Sequence, residues 1–208
     1  MPSRTKRVFF GDFVFAVDEN VYEPAEDSFL FADNLRVKEG ERVLDMGTGC
    51  GILGTIAATK ARHVVAVDVN PYALRCAKEN ANLNNVRRKM TFVRSDLFSS
   101  LSKKAKFHVI LFNAPYLPGE SEEAFSWLSF AWLGGLTGRR AIDLFIPEAP
   151  RYLAREGRIF IMQSTLAGID ETRMRLEDVA LHTNIVAEQP TSFFETITLM
   201  KASRFVQK

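Results

Sequence analysis

Two groups of residues in this 208-residue chain have the types and spacing to do chemistry. The first is Asn113-Ala114-Pro115-Tyr116, directly after the apolar run Phe107–Phe112. An amide, a small residue, a proline and a phenol stand where a buried strand should end. The side-chain oxygen of Asn113 and the carbonyl of Ala114 can each accept one hydrogen of a planar NH2 group. Held in that way, a nitrogen whose lone pair is normally delocalised can turn it toward an electrophile. The same acceptors favour the positive nitrogen of the transition state. Pro115 stiffens the loop, and Tyr116 offers a ring for a flat group to pack on. Alone, Asn-x-Pro-Tyr reads equally well as a turn, because Asn and Pro are common turn residues.

The second group gives the first its weight. "VLDMGTGCGILG" (Val43–Gly54) is an apolar strand, a glycine turn and a helix start, with four glycines in the eight residues from Gly47. A tight turn alone needs fewer. The spacing Gly49-x-Gly51-x-x-Gly54 fits a dinucleotide fingerprint, and Asp68 ends the next strand where a ribose-binding acid belongs. Charge separates the candidate ligands. That fingerprint holds a pyrophosphate on backbone N–H groups, and Asp45 in the mouth of the loop, with Glu26 and Asp27 expected nearby, would repel it. Acids suit a cationic ligand instead. S-adenosyl-L-methionine carries an ammonium, a sulfonium, a ribose diol for Asp68 and an adenine amino group for a third acid, Asp96 in "VRSDLF". Asp45, Asp68 and Asp96 end successive strands, so they fall on one rim of a parallel sheet, where ligands bind. Asn113 then faces the methyl group of the donor, held in line for transfer.

The elements needed to build this rim are legible. Val8–Phe10 and Phe13–Phe15 flank Gly11-Asp12 as a hairpin. A helix starts near Pro24. From Arg42 the texture becomes strand, turn, helix: strands at Arg42–Met46, His63–Asp68, Met90–Arg94, Phe107–Phe112 and Arg158–Met162, and helices at Ile52–Lys60, from Pro71 to about Asn84, and from Arg140 to about Leu153. The end reads as helix, strand, a turn at Pro190, and a strand from Glu195 to Met200. Nearly all-apolar strands alternating with helices imply an α/β fold, a parallel sheet covered on both faces. The closing pair, with its short connection, implies an antiparallel hairpin at one edge. A single domain over residues 1–208 is expected, with residues 1–20 as a hairpin extension. The glycines at 134, 135 and 138, among Trp127, Phe130 and Trp132, read as a mobile loop over the substrate or, equally, as plain turns whose aromatics pack against the domain.

Composition excludes several classes. Hydrophobic residues make up 47% and charged residues 25%, as in an ordinary globular protein, and the net charge is +2. So small a charge argues against a large basic face for nucleic acid. Cys50 and Cys76 are the only cysteines. They read as reduced thiols of a cytoplasmic protein, with Cys50 a packing residue. His63, His108 and His182 show no metal-pair spacing, so no metal is expected.

The Asn-Ala-Pro-Tyr stretch resembles the Asn-Pro-Pro-Tyr signature of class I S-adenosylmethionine-dependent amino-methyltransferases. "VYEPAEDSFLFADNL" (Val21–Leu35), the glycine loop, "VDVNPYALRCAKENA" and "AWLGGLTGRRAIDLF" (Ala131–Phe145) are similar to the HemK-type protein-glutamine N5-methyltransferases, in the short archaeal and eukaryotic branch that modifies class 1 translation release factors. The likeness runs from about Val21 to Lys201. It implies a seven-stranded, mostly parallel Rossmann-like sheet. It also implies that Ser28, Asp45 and Gly47 contact the methionine part of the donor, and that Gly49 and Gly51 of the glycine loop bind the donor too. Asp68 would take the ribose, Asp96 and Leu97 the adenine, and Asn113 to Tyr116 a glutamine carboxamide. The branch implies a small zinc-binding activator subunit paired along the strand in "KMTFVRSD" (Lys89–Asp96), which reads equally as an ordinary amphipathic edge. Ala114 departs from the usual Pro. Two other readings use the same residues: a nucleobase amino-methyltransferase acting on RNA or DNA, and an inactive donor-binding scaffold subunit.

Overall fold

Strands that are apolar along their whole length have to be covered on both faces, and the layers follow from that. In the computed structural model, which describes residues 5–119, 126–191 and 194–204, β3 (Arg42–Met46) and β6 (Phe107–Asn113) lie side by side in the middle of a seven-stranded sheet. Val43, Leu44, Val109, Ile110 and Leu111 are each 0% exposed. Outward from β3 run β4 (His63–Asp68) and then β5 (Met90–Arg94) at one edge. On the other side β6 is followed by β7 (Leu153–Ser164), β9 (Thr196–Ser203) and β8 (His182–Pro190). All neighbours are parallel except β9, which runs antiparallel to both β7 and β8. The expected mostly parallel sheet with an antiparallel edge hairpin is therefore present.

The helices α1 (Glu26–Asn34), α2 (Ile52–Lys60), α3 (Pro71–Leu83), α4 (Trp127–Phe130), α5 (Arg140–Tyr152) and α6 (Ile169–Asp178) complete the layers. The expected boundaries of β3, α2, β4 and β5 coincide with those observed. The β7 strand begins earlier than its apolar run, at Leu153, because Leu153 pairs with Phe107 before an irregularity in the register. Two apolar clusters fill the faces. One gathers Phe31, Val43, Leu111 and Phe160. The other gathers Phe112, Phe145, Phe98 and Tyr152, whose rings stack at 4.4–5.3 Å between centroids.

The parallel register fixes the rim. Asp45 pairs with Ala66 and Leu111, Asp68 with Arg94, and Asn113 with Met162. The carboxyl ends of β3, β4, β5 and β6 thus open on one side, the usual place for a ligand in such a sheet.

The N-terminal hairpin, β1 (Lys6–Phe10) and β2 (Phe13–Val17), is a separate two-stranded sheet. Among the described residues its second strand has no sheet neighbour beyond β1, so its backbone polar groups need other partners. Asn80 of α3 and Asn84, which caps its C-terminus, supply them. Asn80 accepts from Ala16 N and donates to Ala16 O, both at 2.8 Å. Asn84 accepts from Val14 N at 3.1 Å and donates to Val14 O at 2.8 Å. Spaced one helical turn apart, the two amides imitate a strand edge. Asn80 also donates to Cys50 O at 2.8 Å, in the glycine loop.

Candidate active site

The glycine loop turns from β3 into α2 through Gly47, Gly49 and Gly51, with φ of +67°, +56° and +85°. Side chains rarely adopt such angles. At Gly51 space is limiting as well: a Cβ would meet Ala77 Cβ of α3 at 2.8 Å. The loop can therefore sit hard against α3 and leave its cavity side open.

A cavity of about 760 Å3 lies over the rim. Of the residues singled out by sequence, Ser28, Gly47, Gly49, Asp68, Asp96, Leu97, Asn113, Ala114, Pro115 and Tyr116 line it. Asp45 and Gly51 stand behind that surface. Asp45 is 1% exposed, and its Oδ2 accepts from Gly54 N at 3.0 Å and from Thr48 Oγ1 at 2.5 Å. Its carboxylate braces the loop from within.

Burial pushes the Asp45 carboxyl up to about 6, against the lowering effect of its bonds to Thr48 and Gly54. The folded protein thus holds this proton more tightly than the unfolded chain does. The stability it confers is complete below about pH 4 and is lost as pH rises through about 6. The shift corresponds to about 3 kcal/mol. We expect the ligand-free protein to lose up to that amount of unfolding free energy between about pH 4 and pH 7, relative to Asp45→Asn, which has no proton to lose. Denaturant titrations at several pH values check this. Parallel curves for the two proteins would contradict it.

Asp68 ends β4 with both oxygens engaged: Oδ2 accepts from Gly49 N and Oδ1 from Asn70 N, each at 2.9 Å. Burial raises its carboxyl above the ordinary range, and the bonds from Asn70 and Gly49 lower it. Beyond β5, Asp96 is exposed. Leu97 has φ +45°, in the left-handed region, an arrangement that costs a branched residue about 1–2 kcal/mol. Ser95 holds it, donating to Leu97 O at 2.8 Å while accepting from Ser100 N at 2.9 Å.

At the end of β6, Asn113 Nδ2 donates to Asp27 Oδ2 at 3.0 Å. Its Oδ1 is buried and has no hydrogen-bond partner among the described residues. Tyr116 donates to the same Asp27 oxygen at 3.3 Å, and Tyr22 to the other at 3.1 Å. Burial, and then the Asp27 charge, hold both phenols well above the usual phenol range. Both therefore stay protonated and serve as donors. Sequence reasoning counted Asp27 only as a nearby acid. In the first turn of α1 it resembles any acid that favours a helix N-terminus, and nothing in the local pattern shows that β6 returns to meet it.

The apolar wall comes from Trp127, Phe130, Trp132 and Leu133. The segment carrying it, expected to be mobile, is stitched to the stretch after Tyr116. Leu117 N donates to Trp132 O and Gly134 N to Leu117 O, both at 2.9 Å, and Gly119 N donates to Gly135 O at 3.0 Å. Arg139, 4% exposed, anchors its far end on Ala167 O, Gly168 O, Thr172 Oγ1 and Asp143. Burial pushes the Cys76 thiol up to about 11 and Cys50 higher still, so neither is a nucleophile near neutral pH.

Comparison with known proteins gives this geometry a family. The pattern of the methyltransferase small domain matches residues 19–130. A Methanocaldococcus jannaschii protein named as a protein N5-glutamine methyltransferase is 45% identical over 181 residues, 86% of this chain and 90% of its own. Human methyltransferase HEMK2 is 32% identical over 154 residues, 69% of this chain and 71% of its own. Among solved structures, E. cuniculi Mtq2, in a complex with Trm112 responsible for methylation of the eRF1 translation termination factor, superposes with a TM-score of 0.66 at 25% identity. The match covers 89% of this chain and 99% of that one. An acid-rimmed cavity on a mostly parallel sheet, Asn-Ala-Pro-Tyr at its floor and these likenesses agree: the chain is a methyltransferase of the small domain family, and belongs to its HemK-type protein-glutamine branch.

Proposed function

We propose that this methyltransferase uses S-adenosyl-L-methionine to methylate the side-chain carboxamide nitrogen of a glutamine, carried by a class 1 translation release factor in the cytoplasm. The buried, partnerless Oδ1 of Asn113 carries the reading. It is an unsatisfied acceptor on a side chain that lines the cavity, and its chemistry suits one N–H. The groups present suit the donor. A cavity of about 760 Å3 is within the range for a cofactor site. The glycine backbone of Gly47 and Gly49 leaves room for the methionine part beside Ser28, with Asp45 bracing the loop behind. Asp68 can accept from a ribose diol, and Asp96 from the adenine amino group next to the Leu97 backbone. When bound, the sulfonium supplies an electrophilic methyl group.

The chain's own residues do the rest. Asn113 Oδ1 and the Ala114 carbonyl take the two hydrogens of the substrate NH2 and aim its lone pair. Tyr116 packs on the flat carboxamide while its hydroxyl stays tied to Asp27. No strong base is required, because the acidified nitrogen can lose its proton after transfer. Pro115 keeps the peptide ahead of Tyr116 stiff, which offsets the flexibility that Ala114 introduces. A small zinc-binding activator belongs to the same proposal. Its support is the position of β5 at the sheet edge and the two-chain assembly of the E. cuniculi relative.

The test is incubation of the purified chain, with and without such an activator, with labelled donor and either release factor or RNA. Label on the factor that disappears when its glutamine is replaced is the expected result. Label on RNA would move the substrate to a nucleobase amine, and intact donor binding without any transfer would reduce the chain to a scaffold.

A further inference from the structure

The free oxygen of Asn113 exists only because its amide faces one way. Rotating the side chain by half a turn about its last bond would exchange Oδ1 and Nδ2 with almost no change in shape. The cavity would then meet the substrate with a second NH2 group. Something has to hold the orientation. Ser28 Oγ lies 3.5 Å from Nδ2 but can donate as well as accept, so it does not choose between the two amide atoms; the other neighbour can only accept.

Asp27 is 6% exposed. Its Oδ1 accepts from Ser28 N at 2.6 Å, Tyr22 OH at 3.1 Å and Ser28 Oγ at 3.2 Å. Its Oδ2 accepts from Asn113 Nδ2 at 3.0 Å and Tyr116 OH at 3.3 Å. Five donors converge on a group with about four lone-pair directions, so the carboxylate is saturated by the protein. A carboxylate has no hydrogen to give, so the atom of Asn113 that faces it must be the nitrogen. The oxygen is left as the buried acceptor without a hydrogen-bond partner among the described residues, on a side chain that lines the cavity.

We propose that Asp27 is the positioning residue that locks the Asn113 amide with its acceptor toward the substrate, and so makes the site selective for a group that donates N–H. The turnover consequence rests on the function proposed above; the orientation itself does not. Asn in place of Asp27 keeps the shape but offers one acceptor and a competing NH2. Two NH2 groups then face each other, or Asn113 turns over and closes the cavity to a donor.

The experiment compares Asp27→Asn, Asn113→Asp and the double variant, using the full chain with its activator and a release-factor substrate. Asp27→Asn is expected to lower kcat by about 10²-fold with KM and donor Kd within about threefold, since the loss is one of alignment. In the double variant the amide and the carboxylate have changed places. The amide now on α1 can donate to one carboxylate oxygen at the end of β6 and leave the other free for the substrate. At least about tenfold of the activity lost in Asp27→Asn should return. A double variant no better than the two losses multiplied overturns the proposal. A second readout needs no turnover. In the ligand-free protein the Asn113 NH2 resonance, assigned by its loss in Asn113→Ala, should shift in Asp27→Asn and stay put in Glu26→Gln, whose side chain is exposed. An unmoved resonance in Asp27→Asn also overturns it. Should the wild-type chain modify no release factor, the function reading falls and the resonance alone decides the orientation.

Discussion

Asn113→Ala is expected to lower kcat by about 10²–10³-fold while donor affinity stays within about threefold of wild type. The side chain ends β6 at the floor of the cavity, and its one free polar atom is Oδ1. Removing it takes away an acceptor whose bond strengthens as the substrate nitrogen becomes positive, worth about 3–4 kcal/mol in comparable electrostatic sites. Little else changes. Asp68, Asp96, Leu97 and the glycine backbone, which we propose hold the donor, belong to β4, the segment after β5 and the loop after β3. Asp27 loses one of its five donors, a stability cost of about 1 kcal/mol. Single-turnover transfer of labelled methyl, alongside calorimetric titration of the donor, separates the two effects. More than a tenth of wild-type turnover would end the assignment of Oδ1 as the substrate acceptor.

The second large effect comes from a glycine outside the donor loop. At Gly138 a Cβ would overlap the carbonyl oxygen of Tyr116, lie 3.1 Å from its carbon and 3.3 Å from Pro118 Cδ. The residue also has φ +71°. Neither obstacle is a flexible side-chain tip, so relief requires the backbone of 115–118 or of 134–138 to move. Gly138→Ala should cost about 2–4 kcal/mol of stability, above the usual range for surface changes. It should also lower turnover by about 10²-fold, because Tyr116 and Pro115 would shift on the order of an ångström. Denaturant melts and steady-state kinetics measure the two. A variant that melts with wild type and turns over normally would show that the segment from Ser126 to Gly138 does not support the substrate side of the cavity.

Much of this molecule is legible in the order of its residues. The strands around the donor loop announce themselves because a buried parallel strand is apolar throughout. The rim follows because Asp45, Asp68 and Asp96 each come at or just after the end of such a run. What stayed hidden depends on distance along the chain. Asp27 and Asn113 are 86 residues apart, and no periodicity links an acid in a helix's first turn to an amide at a strand's end. Asp45 resembled its neighbours on the rim, yet whether a carboxylate faces a cavity or the back of a loop is decided by a single rotation. The segment around Gly134 and Gly138 looked loose because glycine is the residue of loose loops. Here it is also the residue that lets two backbones touch.

The amide at position 80 joins the hairpin and the donor loop into one mechanical unit. One Asn80 side chain grips Ala16 by both its N–H and its carbonyl, and Cys50 by its carbonyl. Whatever settles against residues 47–51 should thereby also damp the breathing of β2, which the same side chain holds. Hydrogen exchange at Val14 and Ala16 becomes a gauge of occupancy, readable from a strand that never touches the cavity's contents.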